Sequence, residues 1–163
     1  MARAWVFGDD LDTDQMVPGR YAPFMVGQDK FQNYAFCDAR PGFAKEVRQG
    51  DILVGGENFG CGSSREYAVL ALKKLGVGAV VAKSFARIFF RNCINLGIPA
   101  IESADAVDIV RDDDEVTLDV AAGLLRAPGG AASVRRLASF AQEILSAGGV
   151  VAYLREHGDF PRV

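Results

Sequence analysis

The stretch ENFGCGSSREYAVLALKKLG, residues 57–76, places glycines, a cysteine, two serines and an Arg-Glu pair before an apolar helical pattern. Glycines after a strand let the backbone turn tightly. A helix that starts at Ser63 or Ser64 exposes free N–H groups, and Arg65 adds a permanent cation that grips a carboxylate at two points. A serine hydroxyl in this positive field is a candidate base or nucleophile. The stretch therefore predicts a site for an anionic group.

The same local pattern also fits other roles. Ser63, followed three residues later by Glu66, has the form of a capping box, in which both side chains only satisfy backbone N–H groups. A phosphate cradle is the main functional alternative, although the stretch is neither a Walker loop nor a complete GxGxxG pattern. A serine hydrolase is disfavoured, because no GxSxG elbow occurs and His157 is the sole histidine.

A second cluster, GDDLDTDQMVPGRY over residues 8–21, holds four aspartates and a threonine directly after a predicted strand. Aspartate side chains favour turns by bonding to nearby backbone N–H groups, so an acidic turn explains the composition. A calcium loop needs alternating ligands and a later glutamate, and the register here does not match. The neighbouring Gly-Arg-Tyr segment makes this cluster a candidate part of a site.

The composition is that of an ordinary globular protein. The 163 residues are 50% hydrophobic and 24% charged, and we expect a single domain over 1–163. The net charge of −3 and the lack of a basic patch argue against nucleic acid or an anionic membrane as a partner. The N-terminal stretch reaches its first acidic residue at Asp9 and resembles neither a signal peptide nor a membrane span. A cytoplasmic location is therefore expected.

The cysteines, Cys37, Cys61 and Cys93, lie far apart and form no CxxC pair. Disulfides are not expected in a reducing compartment, and the close ligand spacing of zinc or iron–sulfur sites is missing. We therefore predict no metal site in this chain. Cys37 and Cys93 are interpreted as small buried hydrophobes. Cys61 differs from them because it lies inside the glycine–serine stretch.

Hydrophobic periodicity predicts strands that alternate with helices through the first two thirds of the chain. This alternation favours parallel βαβ units with right-handed crossovers. The last third predicts a hairpin and two helices. The fold class is therefore α/β, with a mixed β-sheet core, βαβ units and flanking helices. Strands are predicted over 3–7, 51–56, 79–84, 98–102, 115–120 and 123–127, a loop over 127–133, and helices from 63 or 64 to 74 and over 85–97, 135–149 and 150–158.

The stretch AKSFARIFFRN, residues 82–92, is typical of a core helix capped by Ser84, because its aromatic residues follow helical spacing. Arg87 and Arg91 lie four residues apart and so share one face of this helix. That face is either solvated only or contacts a partner.

In this order, GDDLDTDQMVPGRY, ENFGCGSSRE and AKSFARIFFRN resemble the motifs of the small subunits of 3-isopropylmalate dehydratase and its homoaconitase relatives. This unit is the detached swivel domain of the aconitase superfamily, so the resemblance implies an aconitase-type swivel domain. The motifs extend over residues 5–102, and the C-terminal third is similar only in general layout. Three motifs in order are a more specific signal than any one of them.

The resemblance implies a hydro-lyase that isomerises 2-hydroxy di- or tricarboxylates by removing water and adding it back in the other position. It also implies a large subunit as partner, which carries a 4Fe-4S cluster, so that this chain is active only in the complex. In the matching positions Ser63 is the catalytic base, and Ser64 and Arg65 bind substrate carboxylate. Asp14 is a second catalytic residue that faces a histidine of the large subunit, and Thr13 fixes the turn beside it.

In this family the segment after the Asp-Thr-Asp turn lines the pocket for the variable group of the substrate. Its uncharged part here favours the apolar isopropyl group, and hence leucine biosynthesis. Arg20 is close enough to turn inward toward an extra carboxylate. Homoaconitase, which acts on homocitrate or homoisocitrate in lysine biosynthesis, is therefore the alternative. This specificity loop consists of Arg20, Tyr21, Ala22, Pro23 and Phe24, and continues into Met25.

Two functions of other classes stay open at this point. A stand-alone anion- or phosphate-binding module would bind phosphorylated ligands through residues 57–66 without any partner. A non-catalytic interaction domain would use Ser63 only as a cap, so Ser63→Ala would cost about 1 kcal/mol of stability and no activity. In a dehydratase subunit the same change would remove nearly all activity of the complex.

Overall fold

In the computed structural model, which describes residues 1–161, seven strands form one sheet with the spatial order 4-3-2-1-5-6-7. The first four strands pair in parallel, and the last three form an antiparallel extension beside the first strand. The predicted α/β class with a mixed sheet is confirmed. In chain order the strands are β1 (Ala2–Val6), β2 (Ile52–Gly55), β3 (Ala79–Ala82), β4 (Ala100–Glu102), β5 (Glu115–Asp119), β6 (Leu124–Ala127) and β7 (Gly130–Ser133).

The helices flank this sheet, and a single helix forms the crossover from β2 to β3 and another the crossover from β3 to β4. Among the helices within residues 1–161, none is both long enough and apolar enough to cross a membrane. Short 3-10 turns cover Gly19–Tyr21 and Phe31–Tyr34. The α-helices are α1 (Thr13–Met16), α2 (Pro23–Val26), α3 (Phe43–Glu46), α4 (Glu66–Lys74), α5 (Arg87–Leu96), α6 (Ala106–Ile109), α7 (Ser139–Ser146) and α8 (Val150–His157).

The parallel half of the sheet is buried on both faces. Leu53 and Val80 pack into one core with α4 and α5, whereas Val54 and Val81 pack into a second core with α6 and β6. Strands covered on both faces read as continuous apolar runs, which is why their sequences show no polar alternation. Each fully buried aliphatic side chain contributes about 1.5–3 kcal/mol, so these strands form a rigid support for the loops that follow them.

The predicted loop over 127–133 is wrong in its second half, where residues 130–133 form β7 against β6. Gly130 turns the chain at a φ of +135°. Ala131 and Ala132 have low intrinsic strand propensity, and pairing with β6 supplies what the local sequence does not. Ala132 is buried in the second core opposite Leu125.

The predicted helix over 135–149 begins only at Ser139, and α8 is separate from it. The backbone N–H of Arg135 donates to the carbonyl oxygen of Glu102 at 2.8 Å. This bond holds the segment before α7 beside the end of β4, so the helix starts later than its amphipathic pattern indicates.

Candidate active site

The three motifs singled out in the sequence follow the carboxyl ends of β1, β2 and β3, which are neighbours in the sheet. Isolated bridges continue the strand pairing beyond these ends and join Asp12 to Cys61 and Phe59 to Phe85. Ligands in open α/β sheets bind beyond the carboxyl ends of the strands. The topology therefore brings the three motifs together where a binding site is expected.

Two glycines of the ENFGCGSSRE stretch permit this close packing. Gly60 and Gly62 have φ values of +81° and +86°. A Cβ atom on Gly60 would overlap the ring of Phe89 on α5, and one on Gly62 would overlap the carboxylate of Asp12. The permissive backbone is thus required by two close approaches, one to each of the neighbouring motifs.

Ser63 does not cap a helix. The helix α4 begins at Glu66 with Arg65 in the N-cap position, and no side chain caps it. The capping-box interpretation of Ser63 and Glu66 is therefore wrong, as is a helix start at Ser63 or Ser64. Both serines are exposed. Their hydroxyl groups are thus not committed to the end of α4.

Thr13 connects the first motif to the serine loop. Its side chain is 2% exposed, and its Oγ1 donates to the carbonyl oxygen of Ser63 at 2.9 Å. Its backbone N–H donates to the carbonyl oxygen of Cys61 at 2.9 Å. These two bonds fix the backbone on which the Ser63 side chain is carried.

Asp14 and Arg65 form an ion pair beside this loop. Arg65 Nη1 donates to the Asp14 carboxylate, which also accepts from the backbone N–H of Gly19 at 3.0 Å. The bond from Gly19, and then the bond from Arg65, lower the pKa of Asp14 below its ordinary value of 3.8. Asp14 is therefore ionised at neutral pH, and the guanidinium of Arg65 has a fixed partner.

A cavity of about 320 Å³ opens at this place between the serine loop and α5. Thr13, Ser63 and Arg65 line it, whereas Asp14 and Ser64 are neighbours in sequence that do not. From the sequence, the helix of the opposite wall is predicted to be a core helix with two arginines on its exposed face. The four-residue spacing of these arginines is the signal that could have placed this helix at the site. That wall consists of Ala86, Arg87, Ile88, Phe89, Arg91 and Asn92.

Ser84 does not cap α5, so this prediction is wrong. The helix begins at Arg87 with Ala86 in the N-cap position. The Ser84 hydroxyl instead accepts the backbone N–H of Asn58 at 2.8 Å. Ser84 thus ties the third motif to the glycine stretch.

The specificity loop forms a 3-10 turn and α2 after the acidic turn. Ala22 and Pro23 are buried, whereas Phe24 is 81% exposed and Met25 is 62% exposed. None of the residues from Arg20 to Phe24 lines the cavity. The loop therefore presents two apolar side chains to the outside.

Arg20 does not turn inward, because it is paired with Asp38, a partner that the sequence did not indicate. Its Nη2 donates to both carboxylate oxygens of Asp38 at 2.6 Å. The guanidinium also lies 4.8 Å from the ring centroid of Tyr21, which stacks on Tyr34 at 4.0 Å. Arg20 is thus engaged by Asp38 and Tyr21 within this chain.

The three cysteines are not gathered into one site. Burial raises the pKa of the Cys93 thiol strongly, and Cys93 is fully buried as expected. Cys61 donates its thiol to the carbonyl oxygen of Asp10 at 3.3 Å. Burial, and then the carboxylates of Asp12 and Asp10, raise the pKa of Cys61. Within residues 1–161 no three His, Cys, Asp or Glu side chains are placed to hold a metal ion, so these residues do not fit an iron–sulfur cluster.

The profile of the aconitase C-terminal domain family matches residues 11–106. The chain belongs to this family. The match covers the second and third motifs and residues 11–21 of the first, and the resemblance based on these motifs is confirmed.

Relatives extend the similarity into the C-terminal third. The homoaconitase small subunit of Thermus thermophilus is 55% identical over 161 residues, 99% of each chain. The 3-isopropylmalate dehydratase small subunit 1 of Deinococcus radiodurans is 50% identical over 99% of this chain and 90% of its own. A crystal structure of 3-isopropylmalate dehydratase from Methanocaldococcus jannaschii has a TM-score of 0.86 and 40% identity, covering 96% of this chain and 93% of that one.

Proposed function

We propose that this chain is the small subunit of a hydro-lyase that interconverts 2-isopropylmalate and 3-isopropylmalate in leucine biosynthesis. The observation that carries the proposal is the exposed Ser63, held by Thr13 and placed in one cavity with Arg65. The names of the relatives from Deinococcus radiodurans and Methanocaldococcus jannaschii support the same assignment.

In this proposal Arg65 grips a substrate carboxylate through its paired N–H donors, and Ser64 adds its hydroxyl and backbone N–H. Ser63 takes the proton from the carbon beside that carboxylate. The electron pair of the broken C–H bond forms a double bond, and hydroxide leaves the neighbouring carbon toward the partner subunit. Addition of water in the opposite sense gives the isomer.

A serine oxygen acts as a base only if its deprotonated form is stabilised. Arg65, Arg87 and Arg91 line the cavity of Ser63, and their permanent positive charges favour an alkoxide there. Asp14 is proposed to orient Arg65 in the free chain and to meet a histidine of the large subunit in the complex. Thr13 is proposed to position the backbone of Ser63.

The partner in this proposal is a large subunit that carries the 4Fe-4S cluster, with which the chain forms a cytoplasmic complex. The described cysteines of this chain do not fit such a cluster. Residues 1–163 would act as one swivel domain that closes over the large subunit. Activity would then require both chains.

The arrangement of the specificity loop favours an isopropyl group over a further carboxylate. The exposed side chains of Phe24 and Met25 are apolar. The one cation of the loop, Arg20, is neutralised by Asp38. An extra carboxylate beside Phe24 and Met25 would therefore find no free cation within residues 20–25.

Homoaconitase is the second candidate function, and one observation favours it. The homoaconitase small subunit of Thermus thermophilus is 55% identical to this chain, against 50% for the Deinococcus radiodurans protein. In that case Arg20 would leave Asp38, or the large subunit would supply the cation.

The test is a comparison of kcat/KM for 3-isopropylmalate and homoisocitrate with the anaerobically reconstituted complex of both subunits. We expect a preference for isopropylmalate of about tenfold or more.

Ser63→Ala should lower kcat by about 100-fold or more without preventing assembly, whereas Ser139→Ala, at the exposed start of α7, should change nothing. Full activity of Ser63→Ala, or hydro-lyase activity of this chain alone, would overturn the proposal. A preference for the tricarboxylate would assign the chain to lysine biosynthesis.

A further inference from the structure

A second and larger cleft, of about 710 Å³, lies between α5 and the segment that enters α7. It is referred to below as the α5–α7 cleft. Its floor is apolar, and one aromatic side chain at its edge, Phe140, is 38% exposed. The apolar part of the lining consists of Phe85, Phe90, Ile94, Leu137, Phe140 and Ile144.

Arginines surround this apolar floor. Arg87 and Arg91 come from α5, and Arg135 and Arg136 come from the segment before α7. Glu102 is the acidic residue in the lining, and it is paired with Arg135 at 2.7 Å. The cleft therefore has an excess of positive charge, although the whole chain has a net charge of −3.

The position of Arg87 is unfavourable for the isolated helix. It is the first residue of α5, whose first turn contains no acidic residue and whose N-cap forms no side-chain bond. A helix N-terminus carries partial positive charge and free N–H groups, so a cation there is repelled. A carboxylate supplied from outside the chain would relieve this repulsion.

The α5–α7 cleft adjoins the cavity of Ser63. Arg87 and Arg91 line both of them. Between these arginines, Ile88 is 51% exposed and belongs to the cavity wall. Any body that covers the cleft and crosses α5 therefore reaches the edge of the proposed active site.

We propose that the α5–α7 cleft is the docking site of the large subunit, through an acidic surface that bears an apolar side chain. This inference rests on the proposed function. Carboxylates would pair with Arg135 and Arg136, which do not line the cavity of Ser63, and the apolar group would enter beside Phe140. The cations are spread over two elements and two adjoining cavities, so they match an extended protein surface rather than one small anion.

The test measures the dissociation constant between the purified large subunit and variants of this chain. Arg136→Glu and Phe140→Gln alter the cleft at two residues that do not line the cavity of Ser63. We expect each to raise Kd tenfold or more, with unchanged thermal unfolding.

We expect the affinity of the unaltered chain to fall with added salt, because charges at the rim are screened. Arg136→Glu should weaken this salt dependence. Arg126→Glu is the matched control, since Arg126 is exposed on β6 and lies outside the cleft.

The outcomes separate this inference from the proposed function. If the unaltered chain binds and activates the large subunit and both cleft variants bind equally well, the docking site is overturned and the proposed function stands. If Arg136→Glu loses affinity only for citrate, used as a free polycarboxylate probe, the cleft is a small-anion site and docking is overturned. If the unaltered chain neither binds nor activates the large subunit, both proposals fail.

Discussion

Thr13 Oγ1 donates to the carbonyl oxygen of Ser63 at 2.9 Å, across fifty residues of sequence. The donor is buried, and the acceptor belongs to an exposed loop. A rigid turn thus determines where the proposed base is held, which makes Thr13 a positioning residue.

Replacing Thr13 by valine tests this role, because the two side chains have nearly the same shape. The Ser63 carbonyl would lose its partner, and we expect the free energy of unfolding to fall by about 1–2 kcal/mol. We also expect kcat of the complex to fall about tenfold or more with KM little changed, since misplacement of a reacting group is costly. Thr13→Ser keeps the hydroxyl and should restore most of kcat. A larger loss in Thr13→Ser than in Thr13→Val would show that packing of the methyl group, and not the hydroxyl, matters at this position.

Gly60 should not tolerate a side chain. Alanine there must adopt a positive φ and displace the ring of Phe89. The backbone strain alone predicts a loss of about 1–3 kcal/mol in the free energy of unfolding, measured by urea denaturation. Gly8→Ala is the matched control, because a Cβ atom at Gly8 meets nothing within 4 Å. Wild-type stability of Gly60→Ala would contradict the packing of the serine loop against α5.

The Asp14–Arg65 pair should contribute stability only when Asp14 is charged. The pKa of Asp14 is lowered in the folded chain, so its contribution is present above the ordinary value of 3.8 and is lost as pH falls through the lower folded value. The Asp14 side chain is 59% exposed, so water screens the pair and we expect only about 0.5 kcal/mol at neutral pH. The stability difference between wild type and Asp14→Asn, from urea denaturation, should shrink as pH falls below 3.8 and vanish once Asp14 is protonated in the folded chain. Asp105→Asn, an exposed aspartate without a capping bond, is the control. A difference independent of pH would exclude the charge as its cause.

The Arg20–Asp38 pair predicts a route to altered specificity. In Asp38→Ala, Arg20 loses its bidentate partner and becomes free to meet a carboxylate of the substrate. We expect the kcat/KM ratio of homoisocitrate to 3-isopropylmalate to rise about tenfold in the reconstituted complex. The double variant, which also carries Arg20→Ala, should return to the original ratio. A shift that persists in the double variant would show that Arg20 is not its source.

The parallel half of the fold was predictable because its strands are covered on both faces. Burial on both faces leaves a continuous apolar signal, as in ILVG of β2 and AVVA of β3. The antiparallel strand β7 was missed because GAAS carries neither β-branched nor aromatic residues. Its existence depends on pairing with β6, which local propensity does not encode.

At the candidate site, residue types were easier to predict than their partners. The three motifs indicated which side chains carry chemistry, and their roles stay predictions. The pairing of Asp14 with Arg65 spans 51 residues, and that of Arg20 with Asp38 spans 18. Both pairs arise from the way the turns pack, so no spacing rule reveals them. The serine caps were predicted wrongly because Ser63 and Ser84 match a local pattern that tertiary contacts override.

The central position of β1 has a consequence for how this chain is made. Its parallel neighbour β2 begins at Ile52, and its antiparallel neighbour β5 begins at Glu115. A ribosome synthesises β1 before either of them, so its apolar residues remain unpaired while the segment between β1 and β2 is made. Closing such distant pairs is slow compared with forming helices. The newly made chain is therefore most exposed to aggregation and to chaperone capture at the strand that lies in the middle of the finished sheet.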